Sequence, residues 1–269
     1  MSIPRKRPTV YDLRALKGKR QLTMLRVTTL DEAEAAEQAG IDIVSVPPDV
    51  VSHPRYRDVA PTLFSMTGMQ HLEAPTRDQY LRMALRLLHA EADALYCSAG
   101  LETVAYLARE HIPVVGHVGL VPSRATWTGG FRAVGKSAHS AIALWEEVRA
   151  YEAAGAFALE IEVVPVEVAT RISTSTPLLL WSMGAGAGCD AQYLFAEDVL
   201  GENRGHMPRH SKIYRNFAAE YDRLQIERVA AFSEFVADVN SRTYPEEKHL
   251  VRMDAEELKQ FMERGERIG

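Results

Sequence analysis

An alternation constrains this chain more than any other feature: short, near-continuous apolar runs follow longer amphipathic ones through most of the 269 residues. The runs are Leu22–Val27, Ile41–Val46, Thr62–Met66, Ala94–Cys97, Pro113–Val118, Ala156–Glu162 and Pro177–Ser182, bounded by Gly, Pro or a polar turn. A strand apolar on both sides must be covered on both faces, which is the habit of a parallel sheet. Helical periodicity fills several gaps, over Thr29–Ala39, Thr76–Ala90, Leu101–Glu110, Ser137–Ala154 and Pro165–Ile172. Gly40 and Gly155 stand where a left-handed helix cap belongs. Repeated βα units force right-handed crossovers, and about seven or eight of them favour a closed α/β barrel. Periodicity does not count closure, so an open doubly wound sheet remains the alternative.

The length suits one such barrel, which needs roughly 250 residues. We expect a single barrel domain over 1–269, with the barrel at about 20–200 and extra C-terminal helices at about 205–269. That charged tail reads as helix over Ile213–Asn240 and Asp254–Arg264, packed on the barrel or on a neighbouring subunit. The net charge of −5 points to neither a nucleic-acid nor a membrane-surface partner. Arg5, Lys6, Arg7, Lys17, Lys19 and Arg20 read as a solvated N-terminal arm. No run approaches the roughly 20 apolar residues of a membrane helix, and Met1–Thr9 lack the apolar core of a secretion signal. Cys97 and Cys189 have no metal or disulfide spacing, so a reducing cytoplasm is the expected compartment.

In a barrel, side chains at the C-terminal strand ends meet at one mouth, where reactions occur. That filter selects Asp49 after the second strand, Gly68 after the third, Ser98 after the fourth, His117 ending the fifth and Glu162 ending the sixth. His117 and Glu162 end otherwise apolar runs, and burying either without a partner costs several kcal/mol. His117 reads either as a hydrogen-bonded core histidine or as a functional group. Glu162 in a dry mouth acquires a raised pKa suited to moving a proton. Glu160, two residues back on the same face, is a candidate structural partner. The run "MGAGAGCD" does not make a dinucleotide loop, because Cys189 stands where the last glycine is needed. Its glycines fit a tight strand-end turn. His206 and His210 flank Pro208, which reads as a helix start more readily than as a metal pair.

The blocks "PVVGHVGLVPS", "GGFRAVGKS", "YEAAGAFALEIEVVPVEVATRIS", "GAGAGCDAQYLFAEDVLG" and "YPEEKH" occur in an order that resembles the ketopantoate hydroxymethyltransferases. The resemblance covers most of Asp12–His249 and is weakest between Pro47 and Gly100. It implies a (β/α)8 TIM-type barrel related to the phosphoenolpyruvate mutase and isocitrate lyase group, assembled as a homo-oligomer. The reaction it implies is hydroxymethyl transfer from 5,10-methylenetetrahydrofolate to 2-oxoisovalerate, a 2-oxoacid, through an enolate. Pantothenate biosynthesis uses the product. The implied base is Glu162 and the implied substrate-contacting histidine is His117.

The family also holds Mg2+, and there the sequence departs. The first metal-binding aspartate falls on Pro48, with Asp49 one place late. The second falls on or near Gly68, the metal-proximal glutamate on Ser98, and the substrate-binding lysine on Tyr96. Asp49, Tyr96 and Ser98 are therefore the candidate substrate-binding positions besides His117, and Asp49 is the candidate metal ligand. Magnesium wants hard oxygen donors. In its place Arg55, Arg57, Arg124 or backbone N–H groups would have to steady the enolate. Two other readings stay open: a divergent, metal-independent C–C bond-forming or -cleaving enzyme on another 2-oxoacid or carbonyl, and a non-catalytic binding or assembly barrel.

Overall fold

The computed structural model describes residues 6–68 and 76–265, so Arg5 lies outside the described residues. The chain divides into two compact units, Met1–Asn216 and Phe217–Gly269.

In the first unit eight parallel strands follow one another around a closed barrel: β1 (Leu22–Arg26), β2 (Ile43–Val46), β3 (Phe64–Gly68), β4 (Ala94–Tyr96), β5 (Val114–Gly119), β6 (Ala158–Glu162), β7 (Leu179–Met183) and β8 (Ala191–Phe195). Leu22 to Arg26 pair in register with Ala191 to Phe195, which closes the ring and removes the open sheet from consideration. β8 was not among the expected runs. Gln192 interrupts its apolar character, and the glycine-rich run before it reads as loop; the Gln192 side chain in fact donates to the Gly186 carbonyl at 2.9 Å. The other seven strands are found where expected. Several begin a residue or two after the expected start.

The helices of this unit are α1 (Val10–Ala15), α2 (Leu30–Ala39), α3 (Pro48–Val51), α4 (Tyr56–Val59), α5 (Arg77–His89), α6 (Leu101–Arg109), α7 (Ala125–Thr128), α8 (Ala138–Ala153), α9 (Val166–Ser173) and α10 (Ala196–Leu200). Their ends are written locally. Thr29, Thr76 and Ser137 accept backbone N–H groups at the starts of α2, α5 and α8. Gly40 closes α2 in the left-handed region at φ 79°, and Gly155 follows α8 at φ 89°. Pro208 does not start a helix; residues 202–216 are irregular.

Side chains alternate across each strand. Val44, Leu159, Ile161 and Leu180 face outward into the layer between strands and helices. Leu22, Met24, Ile43, Phe64, Met66, Val115, Leu179 and Trp181 face inward. Phe157 meets Phe64 and Trp181 edge-on, with ring centres 6.2 and 6.0 Å apart. The inward set is apolar at the N-terminal end, and α1 seals that end with the buried Leu13. The basic residues after it are consequently not a solvated arm. Lys17 Nζ lies 2.6 Å from Asp190 and donates to the Leu178 carbonyl, while Arg20 grips Asp42 with both terminal nitrogens. The carboxylates that receive them precede β2 and β8, so the positive charges are recruited to tie α1 beneath the barrel.

The second unit contains α11 (Phe217–Ser241) and α12 (Ala255–Gly265), neither with a buried residue. The first starts four residues after the expected Ile213. Between them Tyr244 meets Phe235 edge-on and leans on His249, which orders the "YPEEKH" turn. Among the described residues no helix is long and apolar enough to cross a membrane.

Candidate active site at the barrel mouth

Toward the C-terminal strand ends the inward positions turn polar, as Arg26 on β1, Ser45 on β2, Tyr96 on β4, His117 on β5, Glu160 and Glu162 on β6, and Tyr193 on β8. Together with Asp49, Gly68, Ser98 and neighbouring loop residues they line a cavity of about 670 Å3. All the residues singled out by the strand-end reading thus share one chamber.

His117 is its centre. Register pairs His117 with Glu160 and Gly119 with Glu162, and this sets two carboxylates from one strand against one imidazole. Nε2 lies 3.1 Å from Glu162 and Nδ1 lies 3.6 Å from Glu160. Tyr96 Oη is 2.8 Å from Nδ1. Burial holds the Tyr96 hydroxyl well above its ordinary pKa, reinforced by the charge of Glu160, so it stays a phenol. When that phenol donates to Nδ1, the ring proton sits on Nε2, facing Glu162. The Nε2–Glu162 approach is close but not aligned as a hydrogen bond, and Nε2 is otherwise buried without a partner.

The two carboxylates differ in environment. Glu160 is sealed in the barrel wall, and its pKa is pushed up to about 7. Burial is the largest cause; His117 and Arg26 pull it down, and Glu162 pushes it further up. Glu162 sits nearer the opening, with its side chain 12% exposed. Glu160 accordingly changes protonation near neutrality while touching the ring that also faces Glu162.

Ser98 is buried just past β4, and Asp49 is exposed at the start of α3, on the rim. Gly68 has a packing reason to be glycine. A Cβ built there would lie 2.7 Å from Tyr96 Cβ and 2.9 Å from its ring. With Tyr96 in place no acid fits at Gly68 unless β4 moves. This bears on magnesium. Of the implied metal positions one is Gly68, one is buried Ser98, and the remaining aspartate stands exposed on the rim. Glu160 and Glu162 converge on His117. Among the described residues no three His, Cys, Asp or Glu side chains come together as a metal cluster. The donor set does not fit a resident divalent ion.

None of the arginines named from sequence as an alternative lines the cavity. Arg57 donates to the Ala60 and Leu63 carbonyls and pairs with Asp93 before β4, at the opposite end of the barrel. Arg124 pairs with Glu147 on α8 at 2.8 Å, and Arg55 heads α4. The cavity's cation is Arg26. The sequence signal for it is the same as for His117, a polar residue ending the apolar run "LTMLRV". Tyr193 was hidden with β8. His210 also approaches the site. Its ring packs on Gly184, where a Cβ would sit 2.8 Å from Nδ1. Burial lowers its pKa, opposed by the charges of Glu162 and Asp198. Nothing in the sequence around His210 signals that approach.

Residues 57–247 match the family model described as ketopantoate hydroxymethyltransferase. The chain is 35% identical to the 3-methyl-2-oxobutanoate hydroxymethyltransferase of Halalkalibacterium halodurans over 75% of its own length and 72% of the relative. It is 31% identical to the enzyme of that name from Thermotoga neapolitana over 90% and 95%. Among solved structures, a phosphonopyruvate hydrolase bound to oxalate and Mg2+ shares the fold over 97% of this chain and 98% of that one, with a TM-score of 0.50 at 14% identity. A barrel closed by eight parallel strands, a mouth built around His117 and Glu162, and a family match over most of the chain together place it: the chain belongs to the ketopantoate hydroxymethyltransferase family.

Proposed function

We propose that the protein transfers a hydroxymethyl group to a small 2-oxoacid, with 2-oxoisovalerate as the first substrate to test and 5,10-methylenetetrahydrofolate as the one-carbon co-substrate. The observation that carries this reading is the Glu162–His117 contact of 3.1 Å inside a strand-end cavity. Glu162 is the general base. It takes the C3 proton of the 2-oxoacid, the C–H pair becomes the C2–C3 double bond, and the carbonyl pair moves onto oxygen. The resulting enolate forms the new C–C bond to the one-carbon unit, water supplies the hydroxyl oxygen, and the two C–N bonds to the folate break with their electron pairs left on nitrogen, so that tetrahydrofolate departs. His117 holds the substrate oxygen and keeps Glu162 in place. Tyr96 sets the tautomer of that ring, while Ser98 and Asp49 contact the substrate or its neighbour at the rim.

Enolisation needs the base beside the C–H bond and a donor beside the forming oxyanion, and the mouth offers both within one small chamber. Protons of 2-oxoisovalerate at C3 should exchange in D2O in the presence of the protein. Glu162→Gln should slow that exchange by about 10²- to 10⁴-fold, the usual worth of a positioned base, with unfolding unchanged. Exchange that survives the substitution would remove Glu162 from the role.

The exposed apolar side chains of α11 and α12, among them Phe232, Phe235 and Phe261, support a partner for these helices in a homo-oligomer. The two free cysteines support a cytoplasmic protein.

A further inference from the structure

The mouth has three carboxylates, from Asp49, Glu160 and Glu162, and Arg26 is the one Lys or Arg among the described residues that line it. Arg26 ends β1 and faces inward in the same alternation that buries Leu22 and Met24. Its guanidinium spreads over the Phe195 ring at 5.8 Å and shares the wall of the mouth with Tyr193. Its charge reaches Glu160, yet no described carboxylate lies within ion-pairing distance of it. A guanidinium has five donors, and these face a chamber that can hold an anion.

Position gives those donors a use. In a ring of eight strands β1 stands across from β5 and β6, so Arg26 faces His117 and Glu162 over the width of the chamber. An anion held by Arg26 therefore presents its far end to the Glu162–His117 pair. We propose that Arg26, beside Tyr193, is the anchor for the carboxylate and the 2-oxo oxygen of the substrate, a role that needs no divalent ion. The inference rests on the reading of Glu162 as an enolising base. A planar guanidinium matches a carboxylate with two parallel bonds. It also supplies fixed positive charge beside the oxygen that becomes the enolate. When Glu162 takes the C3 proton, the electron pair ends on an oxygen next to Arg26. The charge is met there without a metal, so the balance is complete within the chain. Tyr96 packed over Gly68 forms an aromatic wall where the resemblance implies a metal-binding acid.

The test titrates oxalate, an unreactive planar mimic of a 2-oxoacid enolate, into the full chain by calorimetry, once with EDTA and once with magnesium. Exchange of the C3 protons of 2-oxoisovalerate is followed in the same two buffers. Oxalate should bind in EDTA with an affinity that magnesium leaves unchanged. Arg26→Gln should weaken binding about 10-fold or more, the worth of a charge-assisted contact, and Arg26→Lys should fall between. Should Arg26→Gln fail to fold, the magnesium dependence of the native chain and the Arg26→Lys titration still decide. Binding or exchange that requires magnesium overturns the inference and leaves the enolising function standing. So does undiminished binding by a folded Arg26→Gln. Absence of both binding and exchange in both buffers overturns the function and the inference together.

Discussion

Glu160 should make the protein less stable as pH rises through neutrality, and Glu160→Gln should abolish that loss. Burial raises its folded-state pKa to about 7 from the ordinary carboxylate value of 4.5. The native state therefore holds a proton that the unfolded chain releases, and stability falls with rising pH between those values. The contribution is fully present below about pH 4.5 and is lost as pH climbs through about 7. A gap of about 2.5 units at about 1.4 kcal/mol per unit amounts to about 3 kcal/mol, and burial of the group means that solvent screening takes little from it. Urea unfolding of the native protein and of Glu160→Gln at several pH values between 5 and 8 reads the difference directly. The two should be close at pH 5, and the variant should be more stable by about 3 kcal/mol at pH 8. Other titrating groups act on both proteins and largely cancel. A difference that stays flat with pH, or that grows as pH falls, would refute the assignment of the buried proton to Glu160.

Three further outcomes follow from the same geometry. His117 is the neighbour that most lowers the Glu160 pKa, so His117→Gln should move the midpoint of the pH-dependent stability difference upward in the same urea series. Gly119 has φ +86°, and a Cβ there would meet the Glu162 carbonyl at 2.3 Å; Gly119→Ala should cost about 3 kcal/mol or more through backbone strain and overpacking, and should slow proton exchange because the peptide behind the base must shift. Lys17→Met should lower stability by about 2–3 kcal/mol in urea unfolding, since it strips Asp190 of its cation but leaves the Leu180 N–H and Ser173 hydroxyl bonds in place.

The sequence made the barrel legible where strands are covered on both faces, because near-continuous apolar runs such as "PVVGHVG" have few other uses. It hid β8 because an apolar run interrupted by Gln192 and preceded by the five Gly and Ala residues 184–188 does not look like a buried strand. The basic N-terminal residues misled for a different reason. A positive cluster in a list is solvated by default, and only the fold brings Asp42 and Asp190 from distant positions to receive it. His117 and Glu162 were readable because a polar residue ending an apolar strand must be partnered. Arg26 obeys the same rule. His210 obeys none, since it arrives on an irregular segment whose path is set by tertiary packing alone.

The three groups at the centre of the mouth can be ordered by what each must do with protons. Tyr96 is held too far above neutrality to lose its own, so at Nδ1 it is a fixed hydroxyl. Glu160, at about 7, gains or loses a proton under ordinary conditions, and it lies 3.6 Å from the same Nδ1. Glu162 alone combines partial exposure to the chamber with a place beside Nε2. On the proposed mechanism a proton taken from substrate by Glu162 arrives one imidazole away from a buried carboxyl that can change its own state. The charge left on the substrate is then the one that the proposal sets beside Arg26. A mouth with one mobile proton on its β6 side and one permanent cation on its β1 side separates the two products of enolisation. Such separation is what a site without a fitted metal position needs if it is to hold an enolate long enough to react.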